Sequence, residues 1–185
     1  VSQYDFLNPG VPSIFFEEDT PNVLPDVVVQ KLYKAAGEGK RLVFFMNPPY
    51  GTAGETSTKT TDKHKAGIAV TAVNQMMKDA ELGAPSQQLY AQFMFQCAKV
   101  AGDYGFKDYT VATFSPNTYM CSGSYKPFRN WWYGKHEFKT GFLFQASHFA
   151  DVSGRWGIAF TVWNSPGKTD SKSVVNLDLL DIENF

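Results

Sequence analysis

Asn47-Pro48-Pro49-Tyr50 is where residue types and spacing could do chemistry. An asparagine side-chain oxygen and a neighbouring backbone carbonyl, held on a non-helical turn, make two acceptors on a stiff frame. Two acceptors suit a planar NH2 group, which has two hydrogens to donate. The Tyr50 ring adds a face on which a flat heterocycle can stack. What precedes the turn supplies the frame. Arg41-Leu42-Val43-Phe44-Phe45-Met46 is a short apolar run without polar alternation, which predicts a parallel strand covered on both faces. Pro48 and Pro49 have no N–H with which to extend a ladder, so the chain must leave the sheet there. In open α/β sheets the carboxyl ends of strands are where ligands bind.

Asn-Pro-Pro-Tyr behind a hydrophobic strand resembles the active-site motif of S-adenosylmethionine-dependent amino-methyltransferases, above all γ-type DNA adenine-N6 methyltransferases of restriction-modification systems. The resemblance implies an α/β fold: a partial Rossmann-like methyltransferase sheet, mostly parallel, with an antiparallel edge hairpin. It implies that the Asn47 side chain and the Pro48 carbonyl accept both hydrogens of an adenine amino group. Pro49 would keep the turn rigid, while Tyr50 and Phe149, from the loop between two later strands, would sandwich the base. That base would be rotated out of the DNA duplex, because its amino group is otherwise paired. No metal and no covalent intermediate are required. The same resemblance assigns Asp5 and Phe6 to the adenine of the cofactor, S-adenosylmethionine, although Asp5 reads equally well as a turn residue. DNA is the implied partner, with further domains or a subunit for target recognition.

The chain departs from the family pattern in one respect. Gly37-Glu38-Gly39 follows a helix and opens a strand, whereas a cofactor-binding glycine loop follows a strand and opens a helix. It reads as a helix end. Residues 1–185 are therefore expected to be a single domain, the catalytic half of a methyltransferase cut from a longer protein and inactive alone. Two other readings stay open. A protein glutamine-N5 methyltransferase faces the same two-hydrogen problem, and a non-catalytic scaffold would need no cofactor.

Bulk properties narrow the classes. At 185 residues with 43% hydrophobic and 19% charged content, the chain is long enough for a real core. The net charge of −1 gives no global pull toward nucleic acid, so a DNA enzyme needs a local basic strip. Cys97 and Cys121 lack metal-ligand spacing and suggest a reducing compartment; a cytoplasmic location follows for a DNA enzyme. No stretch is apolar enough for a membrane span.

The remaining pattern supplies the scaffold. Pro25 and Asp26 open a helix with Val28, Leu32 and Ala36 on one face. Residues 51–65 are polar, with Lys59, Lys63, His64 and Lys65, and read either as a DNA-backbone clamp or as a surface loop. Glu17-Glu18-Asp19 reads as a solvated charge run. Ile68, Ala72, Met76 and Ala80 mark a second helix, and Ser86 is expected to cap a third, striped by Leu89, Phe93 and Val100. Tyr109–Phe114 predicts a strand stopped by Ser115-Pro116-Asn117, and a short helix follows from Ser124 to Trp132. Phe138–Ser147 and Trp156–Trp163 predict a hairpin, and Ser173–Ile182 one further strand.

Overall fold

Pro25 starts helix α1 (Asp26–Gly37) with its fixed φ of −56°, and Asp26 and Lys34 sit at the ends that suit their charges. The helix stops where Gly39 takes a φ of +69° and the Lys40 N–H turns back to the Ala35 carbonyl, 2.9 Å away. That is a Schellman-type end, and it needs glycine's freedom at positive φ. Strand β1 (Leu42–Met46) follows. Arg41 stays outside it, paired with Asp108 at 2.8 Å. A computed structural model describes residues 4–10, 22–51, 70–148, 156–170 and 174–180.

The remaining elements are α2 (Ala72–Asp79), α3 (Leu89–Asp103), β2 (Tyr109–Pro116), α4 (Thr118–Cys121), α5 (Lys126–Tyr133), β3 (Glu137–Gln145), β4 (Gly157–Ser165) and β5 (Asp178–Leu179). The strands form one open sheet in the order β1-β2-β4-β3-β5. β1 runs parallel to β2, with Met46 opposite Thr113. β4 lies antiparallel between β2 and β3, so the predicted hairpin inserts its second strand toward the centre. β5 adds in parallel outside β3. The architecture is α/β, with an open sheet of mixed direction that fits a partial Rossmann-like fold.

The helices cover one face. Leu89, Tyr90, Met94 and Cys97 of α3 pack with Val73 and Met77 of α2, Phe128 and Trp132 of α5, and Val111 and Trp163 of the sheet. Trp132 is fully buried and stacks on His136 at 3.7 Å. The His136 Nδ1 lies 2.9 Å from the Trp132 carbonyl, which can only accept, so Nδ1 carries the proton. Nε2 then accepts from the Tyr109 hydroxyl, also at 2.9 Å. Burial lowers the pKa of this histidine to about 4, which fixes it as the neutral form.

Two expectations need correction. β1 is not covered on both faces. Among the described residues it is an edge strand in which accessibility alternates, with Val43 59% and Phe45 73% exposed. Phe45 stands among Phe114 and Phe160 on the face away from the helices. A run apolar on both sides reads the same whether or not the second side is covered, which is why periodicity misplaced it. Ser86 does not cap α3. It sits in a 3-10 turn, Ala84–Gln87, and Gln88 takes the cap position without a side-chain bond to the helix's first N–H groups. The Ser86 carbonyl instead accepts from Asn74 Nδ2 at 2.5 Å and Gln92 Nε2 at 2.7 Å.

Candidate active site at the end of β1

Beyond Met46 the chain turns out of the sheet and leaves the Asn47 side chain exposed, Pro48 buried and Tyr50 half-buried. The Tyr50 hydroxyl donates to Asn47 Oδ1 at 2.6 Å. A phenol has one proton to give, and burial raises its pKa to about 12, so it remains a donor through the neutral range. The bond fixes the amide with its oxygen toward Tyr50 and leaves that oxygen a second lone pair. The Gly51 carbonyl, one residue on, accepts from the Leu89 N–H at 3.0 Å. Leu89 opens α3, and its N–H is one of those a helix start leaves unpaired. The turn is thereby tied to the longest helix described.

A buried polar network stiffens that junction. Thr71 caps α2 by accepting from the Asn74 N–H at 2.9 Å, and donates to Gln92 Oε1 at 2.6 Å. With the two bonds to the Ser86 carbonyl, this joins the first turns of α2 and α3. Each member is buried, so each bond replaces water that cannot reach it.

Asp5 and Phe6 reach the same junction from the other side. Asn22, almost fully buried, accepts from the Asp5 N–H at 2.8 Å and donates to the carbonyls of Asp5 and Asn8. Asn8 Oδ1 and the Leu7 carbonyl in turn accept from the first N–H groups of α2, at 2.8 and 3.1 Å. The two Asp5 carboxylate oxygens accept from the Leu7 N–H at 3.1 Å and Asn8 Nδ2 at 2.8 Å. Phe6 stacks on Phe93 of α3 with centroids 5.5 Å apart. Asp5 and Phe6 are thus joined to the helix that anchors Gly51, while no hydrogen bond among the described residues links Asp5 to residues 47–50.

Trp156 is the residue that sequence reasoning missed. It stands just before β4, where its carbonyl accepts from the Ala146 N–H at 2.9 Å and closes the hairpin. Its ring meets Tyr50 edge to face, with centroids 5.5 Å apart at 88°, and is 36% exposed. Read as the first residue of a strand, it carried no signal of function; a hairpin ending opposite the β1 turn was the clue available. Phe149, the predicted second ring, lies outside the described residues. So do Glu17-Glu18-Asp19 and the segment with Lys59, Lys63, His64 and Lys65.

No protein-family profile matches the chain, and no curated protein matches it. Solved structures similar to it in part include the following two. A cryo-EM structure of a DrdV–DNA complex gives a TM-score of 0.49 at 13% identity, over 78% of this chain and 15% of that one. The ATP-dependent Type ISP restriction-modification enzyme LlaBIII bound to DNA gives 0.43 at 14% identity, over 88% of this chain and 11% of that one. The chain therefore spans only a small part of the length of either.

Among the described residues, no group of three or more His, Cys, Asp or Glu could hold a metal ion, and no helix is long and apolar enough to cross a membrane. A shallow hollow of about 600 Å³ lies at the other end of β2, beside Tyr109 and Ser165, away from Asn47. The chemistry available at the turn is that of an exposed amide oxygen held by the Tyr50 phenol, with the Trp156 ring edge-on to Tyr50. Such a corner can accept hydrogen bonds from an NH2 group and stack the ring that bears it.

Proposed function

We propose that the chain is the catalytic half of a DNA adenine-N6 methyltransferase, acting on an adenine rotated out of the duplex. One observation carries this reading: an exposed, orientation-locked asparagine oxygen at the end of a strand, flanked by Tyr50 and Trp156. Asn47 Oδ1 and the Pro48 carbonyl accept the two amino hydrogens. Drawing on both draws N6 toward tetrahedral geometry and leaves its lone pair free as a nucleophile. The Tyr50 ring, braced edge to face by Trp156, stacks the base and holds it in register with these acceptors. Orientation and polarisation of the amine supply the rate. Two aromatic rings at the corner favour a flat base over a glutamine side chain, which has no ring to stack.

Asp5 and Phe6 fit the cofactor that this reaction uses. Each Asp5 oxygen accepts one hydrogen bond and keeps a lone pair for an adenine amino group, and Phe6 is half-buried with one face on Phe93. S-adenosylmethionine, when bound, supplies an electrophilic methyl group. The residues of this chain orient the acceptor nitrogen.

The test is mass spectrometry of DNA digested after incubation with S-adenosylmethionine and the full-length protein of which this chain is the proposed half, with N6-methyladenine as the product and its loss in Asn47→Ala. A second arm needs no cofactor: a duplex with mismatched 2-aminopurine, where extrusion costs least, should brighten when the protein binds. Methyl transfer to glutamine, or an N6-methyladenine yield that Asn47→Ala leaves unchanged, overturns the reading.

A further inference from the structure

The hollow at the far end of β2 gathers positive charge on a chain whose net charge is −1. At about 600 Å³ it has the size of a small-molecule site, roughly 300–1,000 Å³. Lys135, just past α5, and Lys168, in the turn after β4, line it from two elements, and its lining holds no carboxylate. Neither ammonium group has an acidic partner among the described residues. The acids nearest in the chain to the lining are engaged elsewhere: Asp103 with Lys99 at 2.6 Å, Asp108 with Arg41 at 2.8 Å and Glu137 with Lys139 at 2.8 Å. Lys135 Nζ rests 5.4 Å from the centre of the Trp131 ring. That contact is weaker than a charge-assisted hydrogen bond, so an anion can draw the ammonium away from it.

The backbone adds donors. The N–H groups of Gly167 and Lys168, both on the lining, have no acceptor among the described residues. Successive free N–H groups beside ammonium charge are what phosphate oxygens accept from. The floor is of another kind. Phe106 and Tyr109 are nearly buried there, and the Tyr109 hydroxyl is already bonded to His136 Nε2 at 2.9 Å, so the floor offers chiefly ring surface. Two cations match the dianion of a phosphate monoester better than the single charge of a diester. The ring surface matches a flat group attached to that phosphate. We propose that the hollow binds a phosphate monoester carried on a flat organic group, with the phosphate between Lys135 and Lys168 and the flat group over Phe106 and Tyr109.

The hollow is distinct from the Asn47 corner and from the Asp5–Phe6 wall. Tyr109 lies four residues before Thr113, which pairs with Met46, so it stands about 13 Å down the sheet from the level at which the Asn47 turn begins. Ala98 and Gly102, the α3 residues of the lining, lie about 140° and 180° around that helix from Phe93, on which Phe6 stacks. The inference therefore stands whether or not the chain transfers methyl groups.

Calorimetric titration of the full-length protein with phenyl phosphate tests it, with inorganic phosphate as a ligand without the ring. Phenyl phosphate should bind, and more tightly than inorganic phosphate. Lys135→Gln and Lys168→Gln should each weaken it about tenfold, the factor expected for one lost charge-assisted hydrogen bond. Lys78→Gln removes the same charge from an exposed lysine on α2 and should leave binding unchanged. All three lysines are exposed, and thermal melting confirms that the variants fold. Competition tells the source of the phosphate apart. Displacement by thymidine 5′-monophosphate points to a free nucleotide, and displacement by a 5′-phosphorylated oligonucleotide but not by its 5′-hydroxyl form points to a DNA end. No binding of phenyl phosphate at millimolar concentration, binding no tighter than that of inorganic phosphate, or a loss in Lys78→Gln equal to that in Lys135→Gln and Lys168→Gln overturns the proposal.

Discussion

Replacing Tyr50 by Phe removes a hydroxyl that donates to Asn47 Oδ1 at 2.6 Å and leaves the ring in place. A neutral hydrogen bond contributes about 1 kcal/mol net. Over the two-fold rotation of an amide, that bias is a factor of about five, so without it the oxygen-forward orientation falls from roughly five in six to one in two. Methyl transfer by Tyr50→Phe should therefore drop only about twofold. Tyr50→Ala also removes the ring, and base–aromatic stacking is worth about 1–3 kcal/mol, or roughly 5- to 150-fold. Asn47→Ala deletes an acceptor whose bond strengthens as the nitrogen becomes tetrahedral, which predicts a loss of about 100- to 1,000-fold. The assays separate these roles. Tyr50→Ala should dim the 2-aminopurine signal of an extruded base, whereas Asn47→Ala should leave the signal intact and lower kcat. The reasoning is refuted if Tyr50→Phe is as damaging as Asn47→Ala, or if Tyr50→Ala extrudes the base normally.

Trp156→Ala opens the other side of the corner and should cost about tenfold in KM for DNA in steady-state methylation kinetics, with Phe149→Ala as its companion; a protein-glutamine substrate would be indifferent to both. His136 is neutral in the folded protein, with a pKa of about 4, and unfolding restores a value near 6.5. The unfolded chain thus binds the extra proton between those values, so the stability from the neutral imidazole is complete above pH 6.5 and is lost as pH falls toward 4. The drop from pH 7 to pH 5 should be about 2 kcal/mol in urea unfolding, and a His136→Gln variant should lack that component. Gln92→Leu strands the Thr71 hydroxyl and removes one bond to the Ser86 carbonyl, and should destabilise the protein by about 2–3 kcal/mol in the same measurement.

What the sequence disclosed and what it hid follow a physical division. The strand before Asn47 and the helix from Asp26 to Gly37 were readable because proline, glycine and short-range periodicity act within a few residues. The hairpin was readable from two strand-like runs, but its insertion between β2 and β3 was not, since strand order is settled by long-range pairing. Ser86 carried the right side chain for a cap, yet tertiary bonds from Asn74 and Gln92 to its carbonyl drew it into a 3-10 turn. Trp156 was hidden for a related reason: its proximity to Tyr50 exists only once β4 has docked. The lysine-lined hollow was also invisible, because a lysine without an acidic partner is a property of neighbours and not of the residue itself.

The outer edge of β1 has a practical consequence. Its backbone donors and acceptors point away from β2 with no strand beyond them among the described residues, and Phe45 projects beside them. Such a border can pair with a further extended segment, whether the rest of a larger sheet or another chain. A lysine in place of Phe45 would blunt the border, and strand geometry sends that side chain to the face opposite Phe44 and Met46, sparing the helix-covered core on which the Asn47 turn is mounted.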